Sequence, residues 1–257
     1  MKEKALKIRL ASSEDIKKAV PLVKNSFNEL YLTASIYSCF GIEKFICNEI
    51  ENEFSPYRYF VVELNFEIVA FAEIKLFYDS SVAFLNIIAI ASSHKKKGIA
   101  NIFFEYLKKY FSDLGFNCIE LDVFSTNIIA HNWYNSLGFK QQYDKTFYKY
   151  HPPNIPNYSS KQDNCLIVEN FSSFQCLYSY FGFSIINLSF NNQKVSIGVI
   201  KNNAIIKETP LNFVYYDYLY YFLKKSNIDN LYFTGNINFS VTEFTKIDEI
   251  KRMKLIF

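Results

Sequence analysis

Glycine is scarce in this chain, seven in 257 residues, so the few that stand at element ends carry information. Cysteine is present but unpatterned. Cys39, Cys47, Cys118, Cys165 and Cys176 are odd in number and contain no Cys-x-x-Cys pair, which argues against a disulfide framework and for reduced thiols. Three scattered histidines, His94, His131 and His151, offer no metal-ligand spacing, and no metal is expected. No stretch approaches the roughly 18 apolar residues of a membrane span. The start, Met1 to Lys7, has charge without an apolar signal core. A soluble, cytoplasmic protein is the expectation. A formal charge of +3 gives no argument for nucleic acid or an anionic membrane as partner.

What is there is a globular composition, half apolar and 19% aromatic, with material for one large domain or two small ones. The heavy use of Tyr, Phe, Lys, Ile and Asn looks partly like a base-composition bias and carries no function.

The most informative stretch runs from Leu85 to Ala100. An apolar run with β-branched Ile87, Ile88 and Ile90 suits a buried strand. A polar turn follows, with Lys95, Lys96, Lys97 and Gly98. From Ile99 on, Ile102, Phe103, Tyr106, Leu107, Tyr110, Phe111 and Leu114 recur at the spacing of one helix face. A helix start with free N–H groups, a glycine and adjacent lysines makes an anion site. The plain alternative is an ordinary connection carrying a solvated charge run.

Upstream, Lys7–Leu10 suits a first strand, and Ser12 and Asp15 have capping-box spacing before a helix in which Pro21 should produce a kink. Ile42 to Ile50 suits a second helix. Tyr59–Leu64 and Ile68–Phe77 read as strands joined at Asn65-Phe66, and Val82–Ile90 as the next. Downstream, Gly115 ends the basic-loop helix, Cys118–Phe124 is a strand, and Asn127 caps a helix closed by Gly138. Phe139–Tyr143 and Thr146–Tyr150 read as a final hairpin. This order predicts a mixed α/β sheet.

Two blocks resemble a known family. Lys95-x-x-Gly98-x-Ala100 is similar to the Gln/Arg-x-x-Gly-x-Gly/Ala signature of the GNAT superfamily, the acetyl-CoA-dependent N-acetyltransferases, with Lys where Gln or Arg is usual. Leu121-Asp122-Val123, Asn127, Ala130, Tyr134 and Gly138-Phe139 resemble that family's other block, in the right order. The resemblance covers Leu6 to Tyr150. It implies a GNAT-like fold and acetyl-CoA as co-substrate. Lys95, Lys96, Lys97, Gly98, Ile99 and Ala100 would hold the pyrophosphate. Main-chain groups of Ile88 and Ile90 would bond the cofactor arm, and Asn127 would assist. Tyr134 would protonate the leaving thiolate, and a plain core aromatic is the alternative for it. Asn127 would serve as a helix cap in either case.

A protonated amine has no lone pair, so something must take its proton. Family members often carry Glu or His at the positions that are Phe84 and Asn86 here, and neither residue can act as a base. Glu73 is the nearest alternative, with Glu120 and Asp122 also candidates; a solvated or salt-bridged carboxylate is the plain reading of each. Asn86 would position a water. The acceptor pocket is expected between 28–40 and the final hairpin, lined by Glu29, Tyr31, Tyr37 and Tyr143. The acceptor expected is a small-molecule amine, with an amino sugar as one candidate. A protein or peptide amine, or a non-catalytic acyl-CoA-binding scaffold, are the alternatives.

His151 to Pro156 looks like a linker, which divides the chain into a GNAT-like domain at 1–150 and a smaller α/β accessory domain at 157–257. In the latter, Phe183–Phe190 and Val195–Lys201 suit strands around Asn191-Asn192. Asn212–Lys225 suits a helix capped by Asn212, and Leu231–Thr234 and Arg252–Phe257 suit further strands. Helix-then-strand over 218–234 loosely echoes 104–123. A degenerate second GNAT-like half, or a domain for acceptor recognition or homodimer formation, are the two readings left open.

Overall fold

A computed structural model describes residues 6–152, 166–190, 193–207, 213–236 and 243–257. The expected linker beyond Pro152, the cap at Asn212, the turn Asn191-Asn192 and Cys165 lie outside the described residues. Contacts divide the chain into two units: Met1–Leu32, Ile42–Tyr143 and Lys251–Phe257 in the first, Thr33–Gly41 and Asp144–Ile250 in the second. The sequence-based division at 150/157 places the last seven residues in the accessory half; here they belong to the first unit.

The first unit runs β1 (Leu6–Leu10), α1 (Ser13–Ser26), α2 (Glu29–Thr33), α3 (Ile42–Glu51), β2 (Tyr57–Leu64), β3 (Glu67–Phe77), β4 (Val82–Ile90), α4 (Ile99–Asp113), β5 (Cys118–Phe124) and α5 (Ile128–Ser136). Strands β1 to β4 pair antiparallel in order, and β5 joins β4 in parallel across α4. Beside β5 lies the end of β12 (Phe244–Ile256), from which Met253 and Leu255 enter the core. A single strand β6 (Lys140–Tyr150) replaces the expected hairpin. Thr146 to Lys149 pair with Tyr232 to Gly235 instead of folding back on Lys140–Tyr143, and Asp144-Lys145 lacks the glycine that a two-residue hairpin turn favours.

Each sheet face has its own cover. Ala70, Ala72 and Ile74 of β3, with Leu121 and Val123 of β5, pack with Phe103, Phe104 and Leu107 of α4. Alternation along the strands sends Phe71 and Glu73, and Glu120 and Asp122, to the opposite face. There α1 packs on β3, β4 and α3, and α3 on β2. The start of α1 is held as its sequence predicts: the Ser12 N–H and hydroxyl both donate to the Asp15 carboxylate, at 2.8 and 2.9 Å. Arg9 donates to the same carboxylate at 2.6 and 2.9 Å. The β2–β3 turn needs no glycine, because Asn65 and Phe66 themselves take left-handed φ values of 52° and 66°.

The second unit repeats this order. β7 (Leu166–Val168), α6 (Phe171–Phe181), β8 (Phe183–Phe190), β9 (Gln193–Ile200) and β10 (Asn203–Lys207) are followed by α7 (Phe213–Lys225) and β11 (Asn230–Gly235). β7 to β10 are antiparallel neighbours and β11 is parallel to β10, as β5 is to β4. β11 in turn pairs antiparallel with β6. The α6 and β10 elements have no counterpart among the sequence expectations. Tyr216, Leu219 and Leu223 of α7 pack against Ile197, Val199, Ile206 and Phe233. One feature differs from the first unit: β10 and β11 stay paired through all five residues of β10, from Asn203 to Lys207.

Candidate active site

In the first unit β4 and β5 separate. They pair only over Val82–Phe84 and Cys118–Glu120, whereas β4 continues to Ile90 and β5 to Phe124. The result is a fork whose last rung is Phe84–Glu120. A bulge lies just above it: Glu73 pairs with Ile87 and Ile74 with Leu85, so Asn86 is an extra residue on β4. The bulge exchanges the faces of β4. Ala83 and Leu85 pack with the α4 side before it, and Ile88 and Ile90 do so after it.

Main-chain direction follows from one bond. The Ala91 N–H donates to the Val69 carbonyl at 2.8 Å, so Ala91 points toward β3. Two-residue alternation then points the main-chain groups of Ile88 and Ile90 away from β3, into the fork. The Ile90 carbonyl, facing that way, accepts a bond from the Ser26 hydroxyl at 3.4 Å.

Beyond β4 the chain makes one 3-10 turn, Ser92–His94, then the exposed lysines Lys95, Lys96 and Lys97, then α4. Gly98 is the N-cap of α4 at φ 78°, a conformation that opposes any β-carbon. A β-carbon there would meet nothing within 4 Å, so the space before this glycine is open. Among the described residues no acceptor is found for the N–H groups of Lys96 to Ala100. Free amides, a helix N-terminus and three lysines suit a diphosphate in charge and donor count.

Helix α5 stands on the α4 side. The Asn127 side chain accepts from the Ala130 N–H at 3.2 Å, a plain N-cap. Tyr134 is buried against Trp133 and Phe139, with ring centroids 5.0 and 5.4 Å away. Burial pushes its phenol pKa well up, so the proton is retained at any physiological pH. The Trp133 indole N–H donates to the Asn101 side-chain oxygen at 2.7 Å and ties α5 to the first turn of α4.

The opposite face carries the carboxylates. Glu73 is buried, 4% exposed, and its Oε1 accepts from Asn86 Nδ2 at 2.8 Å. Tyr59, its cross-strand partner, is buried with a hydroxyl that has no hydrogen-bond partner. Burial, and then the charges of Glu73 and Glu49, raise the Tyr59 pKa, and the same causes push Tyr57 up to about 12. Glu120 and Asp122 are salt-bridged. Arg252 reaches Asp122 through Nε and Nη2 at 2.6 and 2.9 Å and Glu120 through Nη1 at 3.2 Å. Lys254 holds the other Glu120 oxygen at 3.1 Å.

Of the expected acceptor residues, Tyr31 stacks on Phe27 at 4.2 Å and meets Phe124, the last residue of β5, edge-on at 6.3 Å. Glu29 is an exposed residue of α2. Tyr143 is 42% exposed with the Arg252 guanidinium 5.6 Å from its ring. Tyr37 is a buried residue of the second unit, 1% exposed. The structure thus brings Glu73, Asn86, Tyr31 and Tyr143 to one face of the first unit, and Lys95 to Ala100, Asn127 and Tyr134 to the helices on the other.

A forked parallel pair with a glycine-started helix beyond it agrees with a family model: residues 25–139 match the acetyltransferase (GNAT) family. Residues 25–139, a little under half of the chain, are thus similar to a GNAT acetyltransferase domain. The GNAT match stops at Phe139, short of Lys140–Tyr143 and of Lys251–Phe257, which the structure adds to the same unit. Solved structures match the whole length. A tandem GNAT protein from the clavulanic acid biosynthesis pathway aligns over 98% of each chain at 9% identity, TM-score 0.71. A putative acetyltransferase from Pyrococcus horikoshii covers 100% of this chain and 91% of its own at 14% identity, TM-score 0.66. A GCN5-related N-acetyltransferase from Sphaerobacter thermophilus covers 98% and 95% at 6% identity, TM-score 0.63. At these identities the likeness is one of fold: a GNAT fold with a second, smaller α/β domain. A search of the curated proteins returns no match.

Two GNAT-site features escaped sequence reasoning. Tyr59 was accessible in principle, since strand alternation puts it on the face of Glu73. Arg252 was not, because it lies 130 residues from Asp122. Among the described residues no three His, Cys, Asp or Glu side chains are placed to hold a metal, and no helix is long and apolar enough to cross a membrane.

Proposed function

We propose that this protein transfers acetyl from acetyl-CoA to the primary amine of a small molecule. The observation that carries the reading is the β4–β5 fork, with open amides at Gly98 beyond it and a protonated, buried Tyr134 on the α4 side. Lys95 to Ala100 hold the diphosphate, and Asn127 helps seat the cofactor arm.

Glu73, oriented by Asn86, takes a proton from the ammonium and frees the nitrogen lone pair to attack the thioester carbon. One main-chain N–H, of Ile88 or of Ile90, donates to the carbonyl oxygen as it becomes negative, and the other is left for the cofactor arm. When the carbon–sulfur bond breaks, Tyr134 gives its proton to the departing thiolate. The attacking nitrogen, left with a positive charge by the attack, sheds its second proton to solvent, from which Tyr134 is reprotonated, and Glu73 releases its own proton there as well. Phe84 and Asn86, at the positions where a base is frequent in the family, leave this work to the neighbouring strand. The second unit, whose β10 and β11 do not fork over the described residues, takes no part in the chemistry.

Thiol release from acetyl-CoA, measured across monoamines, polyamines, amino sugars, aminoglycosides and peptide N-termini, tests the reading. Release with a small amine is expected. Release with peptides alone would move the acceptor to the protein class.

A further inference from the structure

The face of the fork opposite α4 has a charge arrangement that bears on which amine it receives. Glu120 and Asp122 both project there, one at the last rung of the β4–β5 pairing and one just beyond it. Left alone, two carboxylates so placed would recognise a polycation. All four of their oxygens are engaged: both Asp122 oxygens and one of Glu120 by Arg252, the remaining one by Lys254. Two negative charges meet two positive ones at this spot. The Arg252 guanidinium also lies 4.7 Å from the Phe84 ring centroid and 5.6 Å from that of Tyr143. Its side chain is 17% exposed. Burial works against its charge, but the Asp122 and Glu120 contacts outweigh that and hold its pKa above the ordinary arginine value.

What remains on this face, beside the Glu73–Asn86 pair that takes the reacting amine, is aromatic. Phe84 lies at the rung, Tyr143 beside Arg252, and Phe124 with Tyr31 and Phe27 toward the open end. Aromatic faces supply apolar contact area, and a neutralised carboxylate pair offers little to a second ammonium group.

We propose that this face takes a primary amine carried on an aromatic or apolar frame, and that Arg252 is the specificity residue that keeps polycationic amines out by occupying Glu120 and Asp122. The inference rests on the acetyltransferase reading and narrows its acceptor class away from amino sugars and polyamines. It also gives the C-terminal strand a part in the site, since Arg252 comes from Lys251–Phe257.

The test uses the full chain with phenethylamine and spermidine as probes, kcat/KM for each read by thiol release, and acetyl-CoA binding read by calorimetry. The wild-type chain should prefer phenethylamine by roughly tenfold or more. Arg252→Met, which uncovers Asp122, should move that ratio toward spermidine by about tenfold while acetyl-CoA affinity holds. Asp122→Asn, a milder change that keeps the guanidinium, should move the ratio the other way, and the double variant should return toward wild type. A wild-type preference for spermidine, or equal losses for both amines in Arg252→Met with no opposite shift in Asp122→Asn, would overturn the inference. Acetyl-CoA binding without turnover of phenethylamine overturns it as well and leaves the family reading standing. Failure to bind acetyl-CoA removes both.

Discussion

The Asn86 side-chain amide donates to Glu73 at 2.8 Å, from the one residue by which β4 bulges against β3. Without the bulge, Asn86 would not be an unpaired extra residue, and the strand beyond it would present its other face. The bond therefore joins two events that the strand pattern alone keeps apart: the change of face that turns Ile88 and Ile90 toward α4, and the orientation of a buried carboxylate.

Glu73→Gln should lower kcat on the order of 10²-fold or more and remove the acid limb of the pH–rate profile, with acetyl-CoA affinity retained. Asn86→Ala, which leaves the carboxylate but not its orienting donor, should cost less, about tenfold, and shift that limb rather than abolish it. A pH profile unchanged in both variants would remove Glu73 from the mechanism.

Tyr134→Phe deletes one hydroxyl from a packed ring. Its expected effect is a fall in kcat of about 10²-fold, with the CoA dissociation constant within about twofold of wild type. Pre-steady-state thiol release would locate the loss at departure of the thiolate.

Gly98→Ala places a β-carbon at φ 78°, at a cost of about 1–2 kcal/mol in local strain, although the space there is open. CoA binding measured by calorimetry should weaken by roughly tenfold. Pantetheine, which lacks the diphosphate, should show no such change.

Deletion of Lys251–Phe257 removes Met253, which is fully buried, and Leu255 from the core of the acetyltransferase unit. Met253→Ala alone should cost about 2–5 kcal/mol. The deletion should abolish cooperative unfolding of this unit, read by chemical denaturation and by loss of CoA binding.

Asp15 has a pKa lowered to about 2: burial favours the neutral acid, but the bonds from Arg9 and Ser12 outweigh it. A carboxylate whose folded pKa is depressed contributes stability that is complete above the unfolded value near 4 and disappears as pH falls toward 2. Asp15→Asn should cost about 1–2 kcal/mol at pH 7 and flatten the acid limb of the stability curve between those values, as measured by urea titration.

Much of the fold was legible locally. Val82–Ile90 and Cys118–Phe124 have the predicted bounds, Ser12 and Asn127 cap the helices they precede, and Gly98 starts α4. These are properties of neighbouring residues, set by periodicity, capping and backbone freedom, and a linear chain states them in order. The pairing of strands distant in sequence was decided only by the tertiary structure. It brought Arg252 across to Glu120 and Asp122, ran β6 on as one strand, and forked β4 from β5 but kept β10 beside β11. Local propensity cannot choose among such partners, because the free energy that selects them comes from side chains meeting in the core, and those meetings exist only once the chain has folded.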